Sequence, residues 1–164
     1  MLVRMELSRI FIRELSDMQI IELTEVDGTR TFPIVIGLPE AFAIERRLKG
    51  TEVIRPQTHD LLASVIRHLG GKLARIEIHN LAEGTFYANV VIDRDGEELT
   101  VDSRPSDAIA LGVAERVPIF VAEKVLSQAS VDASALNGSA AFDDIGGSIV
   151  DFDEAESDDE DDQW

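Results

Sequence analysis

The chain has 164 residues, 45% of them hydrophobic and 5% aromatic, which suits one domain with a mainly aliphatic core. It contains no cysteine, which excludes disulfides and thiolate metal sites, and no run of residues apolar enough for a signal peptide or a membrane span. We therefore expect a soluble cytoplasmic protein.

The net charge of −17 is distributed unevenly along the chain. Residues 131–164 hold twelve Asp or Glu and no Lys or Arg, so residues 1–130 carry twenty acidic against fifteen basic residues. A nearly balanced body does not indicate the broad basic surface that many nucleic-acid-binding proteins present. A few local arginines are still enough for a small phosphate site.

Hydrophobic periodicity predicts alternating strands and helices. A bend is expected near Ser8, and Asp27-Gly28 and Asp95-Gly96 are typical of hairpin turns. Pro33 indicates a sheet edge or a bulge. The predicted strands cover residues 2–13, 18–25, 29–36, 72–81, 86–92, 97–102 and 118–121. The predicted helices cover residues 40–49, 58–69, 105–116 and 122–129.

The second predicted helix begins with a good N-cap residue, Thr58. Leu62, Ile66 and Leu69 form an apolar stripe that is expected to face the core. His59 lies one turn before Leu62 on the same stripe, so its side chain is predicted at the rim of the core. In the helix before it, the basic residues 46, 47 and 49 are predicted to form a solvated face.

Strand, Asp-Gly hairpin, strand and proline-started helix occur at Met18–Lys49 and again at Phe86–Arg116. If this echo is a duplication, the helix starts at Pro39 and Pro105 are structural equivalents, each with unpaired backbone N–H groups. A chance match is the alternative, because meanders followed by helices are common. We predict an α+β fold with an antiparallel or mixed sheet built from two β-hairpin–helix repeats, with the helices packed on the sheet.

The helix start around Pro105 is unusually rich in polar residues. Pro105 fits the first helical position, which places Arg104 at the N-cap with its side chain free to reach outward. Unpaired N–H groups in such a first turn can bind an anion such as phosphate. The structural alternative is that Ser103, Ser106 and Asp107 only cap the helix.

The chain is predicted to divide into a domain, residues 1–130, and an acidic disordered tail, residues 131–164. The tail is rich in Ala, Ser, Gly and Asp and cannot bury enough apolar area to order itself. It is either a solubilising tail or a polyanion that folds back onto a phosphate site or binds a basic partner.

Three segments resemble, in order and spacing, the signature segments of the bifunctional nuclease domain family. They are Ile36–Ile44, Arg55–Leu61 and Asp102–Leu111, and the resemblance extends over residues 1–130. It implies an α+β fold, a mostly bacterial family with plant relatives, and cleavage of both DNA and RNA. It transfers motif positions to this chain, not established catalytic roles.

The motif residues have the chemistry that phosphodiester hydrolysis needs. Histidine is the residue type whose ordinary pKa lies near neutral pH, so His59 is the predicted general acid or base. Guanidinium groups can each hold two phosphate oxygens, and carboxylates can bind Mg²⁺ or Mn²⁺. The predicted catalytic set is His59, Asp60, Arg104 and Asp107; the phosphate-binding set is Arg55, Ser103, Arg104 and Ser106; the metal ligands are Glu40, Asp102 and Asp107.

Each of these residues also has a structural explanation. Ion pairs of Asp60 with Arg55, or of Asp102 with Arg104, would hold loops in place. Acidic residues near helix starts compensate the helix dipole. Two functions therefore stay open: a metal-assisted nuclease with little sequence preference, or a non-catalytic module that binds a phosphate ligand or a protein, with the tail as an interaction arm. Exposed strand edges also make a homodimer reasonable.

Overall fold

Strands and helices follow one another in two similar runs. A computed structural model describes residues 1–13, 16–51, 53–132 and 148–151. Its strands are β1 (Leu2–Ile12), β2 (Met18–Glu25), β3 (Arg30–Gly37), β4 (Lys72–Ala82), β5 (Thr85–Arg94), β6 (Glu97–Ser103), β7 (Ile119–Ala122), β8 (Val131–Asp132) and β9 (Ser148–Asp151). Its helices are α1 (Leu38–Leu48), α2 (Thr58–His68), α3 (Pro105–Glu115) and α4 (Glu123–Ala129).

One mixed sheet contains all the described strands, in the order β6-β5-β4-β7-β1-β2-β3-β8, with β9 paired to β1. Only β4 and β7 pair in parallel; the other pairs are antiparallel. The predicted α+β class is therefore confirmed. Each run supplies three antiparallel strands and then a helix, so β1-β2-β3-α1 and β4-β5-β6-α3 flank β7 as matching units.

The core lies on one face of a strongly curved sheet. Register places the fully buried Ile10 opposite Ile21, and Ile21 opposite the buried Ile34. Phe32 of β3 and Phe86 of β5 stack with ring centroids 5.6 Å apart, although four strands separate β3 from β5 in the sheet. Each buried aliphatic side chain of this kind contributes about 1.5–3 kcal/mol.

Helix α3 is buried almost all round, because its residues are small or apolar on every side. Gly112 allows the close approach: a Cβ added there would lie 2.7 Å from a side-chain carbon of Ile76 on β4. Helices α1 and α2 both contact α3. The prediction of a helix packed tightly on the sheet is confirmed, and α3 thereby becomes the element that positions the other two.

Helix α2 packs differently from its predicted orientation. The N-cap is Gln57, not Thr58, which is the first helical residue. Ala63 is buried and Ile66 half-buried, whereas Leu62 and Leu69 are 43% and 71% exposed. The leucine stripe therefore does not face the core, because only the outer edge of the helix layer is left for α2 and its small residues make the contact.

Two local features of the sheet agree with the sequence. The β1–β2 register shifts between Leu7 and Arg9, which is the bend expected near Ser8. Pro33 lies in β3 opposite Glu22, and the described part of β8 pairs only with the first two residues of β3. Pro33 therefore lies where β3 has an open edge, which suits a residue without an N–H group.

Beyond residue 130, two short segments join the sheet. β8 pairs with β3, and β9 pairs with the end of β1. The sequence predicted no strand in this stretch; the rest of the predicted disordered tail lies outside the described residues. Across the described part of the chain, no helix combines the length and apolarity needed to cross a bilayer.

Candidate active site

Three helices begin next to one another at the candidate site. α1 and α3 both start after an extended N-cap residue, Gly37 and Arg104, and both carry a proline in the first turn with no side-chain cap. Arg104 contacts the first turn of α1, and His59 in the first turn of α2 contacts that of α3. The predicted equivalence of the α1 and α3 starts fits this geometry.

Arg104 joins two of the three helix starts. Its Nε donates to Asp107 Oδ2 at 2.7 Å, and its Nη2 donates to Glu40 Oε1 at 2.6 Å. These bonds, first to Asp107 and then to Glu40, raise the pKa of the Arg104 guanidinium above its usual value. The side chain is 66% exposed, and Nη1 makes none of these contacts, so it can still donate to a ligand.

His59 completes the cluster from α2. Its Nε2 lies 3.3 Å from Asp107 Oδ1, and its side chain is only 15% exposed, which confirms the predicted position at the rim of the core. An Asp carboxylate that accepts from one imidazole nitrogen fixes the ring and leaves the other nitrogen free for proton transfer. Glu40, His59, Arg104 and Asp107 thus form one connected chain, which we call the acid–base cluster.

Asp60, the neighbour of His59, points elsewhere. Its Oδ2 accepts the backbone N–H of Gln57 at 2.9 Å and a bond from Arg46 Nη2 at 3.2 Å, and Arg47 also pairs with it. Its side chain is 11% exposed. Among the described contacts Asp60 therefore has no link to the acid–base cluster, and its partners are not the Arg55 that the structural alternative named.

Among the described contacts, the remaining predicted site residues have no side-chain-to-side-chain bond with the acid–base cluster. Arg55 is exposed in the connection before α2, and Asp102 is exposed on β6, opposite Asn89. Ser103 Oγ donates to the Arg104 carbonyl at 3.0 Å. Ser106 is buried and caps nothing through its side chain. The assigned roles of these residues stay predictions.

The predicted metal ligands are only partly together. Glu40 and Asp107 both bind Arg104, whereas none of the described side-chain bonds links Asp102 to Glu40 or Asp107. Within the described ranges, no three His, Asp or Glu side chains are grouped closely enough to hold a metal ion. Two carboxylates fit Mg²⁺ when phosphate oxygens and water complete its shell, but they do not form a closed protein site.

A second feature adjoins the cluster and was missed by sequence reasoning. Behind Asp60 lies a cleft of about 720 Å³ that Arg46, Arg47, Arg67 and Arg116 line, and we call it the arginine cleft. The predicted solvated face is wrong for Arg46, whose side chain is 12% exposed. Spacing could not reveal this grouping, because the four residues come from α1, α2 and the end of α3.

The comparison with known families decides which family the chain represents. A model described as the bifunctional nuclease domain matches residues 21–134, which is more than half of the chain. The chain belongs to the bifunctional nuclease domain family. The resemblance of the three signature segments is thereby confirmed.

The chain is similar in sequence to proteins of Mycobacterium tuberculosis and of rice. An uncharacterized protein of Mycobacterium tuberculosis, matched in two strains, is 45% identical over 109 residues, which cover 66% of this chain and 65% of that protein. "Bifunctional nuclease 2" of Oryza sativa subsp. japonica is 26% identical over 99 residues, 58% of this chain and 30% of the rice protein. The matched region spans less than two thirds of either relative.

Proposed function

We propose that the chain hydrolyses phosphodiester bonds in DNA and RNA with little sequence preference. The observation that carries the proposal is the acid–base cluster: His59, Asp107 and Arg104 in direct contact where three helices begin. Membership of a nuclease domain family supports the reaction class. The cluster combines a group that can exchange a proton near neutral pH, a carboxylate that orients it and a cation for the phosphate.

His59 moves the proton in this mechanism. With Nε2–H donated to Asp107, Nδ1 takes a proton from the attacking water, and the imidazolium then gives a proton to the leaving sugar oxygen. Asp107 keeps the ring in one orientation and stabilises the positive charge that forms on it. General acid–base catalysis of this kind contributes about 10²–10⁴-fold to the rate.

Arg104 stabilises the charge that develops on the phosphate. Its contacts with Glu40 and Asp107 use Nε and Nη2, which leaves Nη1 to donate to a non-bridging oxygen. The unpaired N–H groups of the first turn of α3 add partial positive charge at the same place. Donors held in position before the reaction are more effective than donors that must reorganise during it.

Metal assistance by Mg²⁺ or Mn²⁺ is a separate part of the proposal. Glu40 and Asp107 would hold the ion, and a divalent cation at such a site stabilises phosphate charge and activates water. The mechanism above assigns the proton and the guanidinium to this chain's own residues. Cleavage in Mg²⁺, in Mn²⁺ and in EDTA therefore tests the metal independently of His59.

The test is a cleavage assay of the purified full chain on single-stranded DNA and RNA, with Mg²⁺, Mn²⁺ or EDTA. His59→Ala and Asp107→Ala are expected to lower the rate by at least about 100-fold. His68→Ala is the matched control, because His68 lies at the other end of α2, where its Nδ1 is 2.7 Å from the Ser64 carbonyl oxygen. Activity that survives both cluster substitutions would point to a contaminant or another site.

A non-catalytic module is the second candidate, and one observation favours it. The polar groups of the acid–base cluster are paired with one another, as a purely structural network would be. Such a module would bind a phosphate ligand or a protein partner without turnover. Tight oligonucleotide binding with no cleavage under any metal condition would favour it over the nuclease.

We further propose that the chain forms a homodimer through α2. This helix exposes apolar residues on one face, and a contiguous exposed apolar face is typical of an interface. The residues are Leu61, Leu62, Val65 and Leu69. Light scattering should give the mass of two chains, and Val65→Glu should give the mass of one. A monomeric wild-type chain would refute the dimer.

The acidic C-terminal residues and the cellular location complete the proposal. Eight of the thirteen residues 152–164 are acidic, which suits an arm that binds a basic partner. The absence of cysteine suits the reducing cytoplasm. Deletion of residues 152–164 should abolish binding to a basic peptide such as polylysine and leave cleavage intact. Unchanged polylysine binding would show that these residues are not a binding arm.

A further inference from the structure

The arginine cleft lies on the other side of the α2 start from the acid–base cluster. It is open to solvent, and its volume of about 720 Å³ falls within the range of small-ligand sites. Asp60 lines it, and the preceding residue, His59, belongs to the acid–base cluster. A ligand held in the cleft is therefore close to the group proposed to move the proton.

Among the described residues that line this cleft, positive charge exceeds negative charge. They include four arginines and two carboxylates, Asp60 and Glu115. Asp60 is shared by Arg46 and Arg47, and Arg67 pairs with Glu115 at 2.8 Å. Arg116 has no side-chain partner within the part of the chain that the structure describes. A local excess of cations in a chain of net charge −17 indicates a site for an anion.

Two of these guanidinium groups are partly buried and have donors to spare: the side chains of Arg46 and Arg47 are 12% and 33% exposed. Arg46 and Arg47 each use only Nη2 toward Asp60, and the Nε atoms of both are buried without a hydrogen-bond partner. Burial lowers the pKa of Arg47, and the positive charges of Arg46 and Arg67 lower it further. Each guanidinium keeps Nη1, which does not contact Asp60, as a donor for a ligand in the cleft.

We propose that the arginine cleft binds a backbone phosphate of the nucleic-acid strand, next to the phosphate that is cleaved. The identity of the strand rests on the proposed function; the preference for a phosphate rests on the cleft. Guanidinium groups match phosphate oxygens two at a time, and several of them converge here. Phosphate contacts fix the position of a strand without reading its sequence, in agreement with little sequence preference.

Arg116 provides a variant that separates binding from folding. It has φ 54°, in the left-handed region that favours glycine, so Arg116→Gly removes the guanidinium and relieves the backbone. Arg67→Gln is a second variant, because its ion pair with Glu115 is largely exposed and adds little stability. Arg94→Gly, at the exposed end of β5, is the control for loss of one positive charge.

The experiment measures fluorescence anisotropy of a short labelled single-stranded DNA or RNA in EDTA, between 50 and 200 mM salt. Arg116→Gly and Arg67→Gln are each expected to weaken binding about 5- to 10-fold and to reduce the slope of log affinity against log salt by about 1. Arg94→Gly should leave both quantities unchanged. A peptide nucleic acid of the same sequence, which lacks phosphates, should bind far more weakly.

Three results would overturn the phosphate site: wild-type affinity in both cleft variants, equal affinity for the peptide nucleic acid, or no binding of either oligonucleotide by the wild-type chain. Failure of the proposed nuclease looks different. If His59→Ala cleaves at the wild-type rate while the cleft variants bind weakly, the chemistry is wrong and the cleft stands. If His59→Ala abolishes cleavage and the cleft variants bind normally, the proposed chemistry stands and the phosphate site in the arginine cleft is wrong.

Discussion

His59 and Asp60 are consecutive residues, yet their side chains end in surroundings of opposite charge. His59 reaches a cluster in which one guanidinium, Arg104, serves two carboxylates, Glu40 and Asp107. Asp60 reaches a cleft in which one carboxylate serves two guanidiniums and further arginines stand nearby. The first turn of α2 therefore separates a site rich in proton acceptors from a site rich in fixed cations.

The difference suggests a division of work. A carboxylate-rich cluster around a histidine suits proton transfer and cation binding, and it holds too much negative charge to be the main anchor for a polyanion. The arginine cleft has the opposite balance and suits the anchoring of phosphates. Because both sites include a residue of the same helix turn, a strand held in the cleft reaches the cluster without a large movement.

A large loss of cleavage is also expected at Arg104. Arg104→Lys keeps the charge but cannot span Asp107 and Glu40 at once, because an ammonium is a compact point charge on a flexible stem. We expect the cleavage rate to fall about 100-fold, equivalent to about 2.7 kcal/mol. Single-turnover kinetics measure this. A rate within a factor of three or so of wild type would show that bidentate geometry at Arg104 is not needed.

The next prediction compares the two aspartates by stability. Asp60→Ala removes a largely buried carboxylate and leaves the largely buried Arg46 and the partly exposed Arg47 without their shared acceptor, which should cost about 2 kcal/mol in urea unfolding. Asp107→Ala breaks contacts at a more exposed carboxylate and should cost less than about 1 kcal/mol. Equal losses of unfolding free energy in the two variants would contradict the difference in burial between Asp60 and Asp107.

The smallest expected effect is a gain in the free energy of unfolding. Arg116→Gly should raise the unfolding free energy by up to about 1 kcal/mol, since an L-residue at positive φ is strained. Arg94→Gly should lower it by about 0.5–1 kcal/mol, because glycine weakens a strand. Urea unfolding of both variants checks the opposite signs. A loss at Arg116 would mean that its side chain stabilises the fold as well as the cleft.

The sequence correctly predicted the features that depend on neighbouring residues. Asp95 and Gly96 both have positive φ, as their Asp-Gly turn predicts, and Pro105 stands in the first turn of α3. The position of Arg104 at the N-cap of α3 also followed from the proline after it. These properties depend on backbone preferences within a few residues, which a sequence displays directly.

The sequence did not predict the features that depend on how the helices pack against one another. Asp60 pairs with Arg46 and Arg47, which are more than ten residues away, because α1 and α2 lie side by side in the fold. The leucines of α2 were expected inside, but α1 and α3 fill the layer and leave that face exposed. Periodicity reveals that a helix has an apolar face, not whether the fold has room to bury it.

The division of work between the two sites is tested most directly by steady-state cleavage of one oligonucleotide by His59→Ala and Arg116→Gly. We expect His59→Ala to lower kcat with little change in KM, and Arg116→Gly to raise KM with little change in kcat. The same pattern for both variants would contradict it. In that case the acid–base cluster and the arginine cleft would be parts of one site with no separate roles.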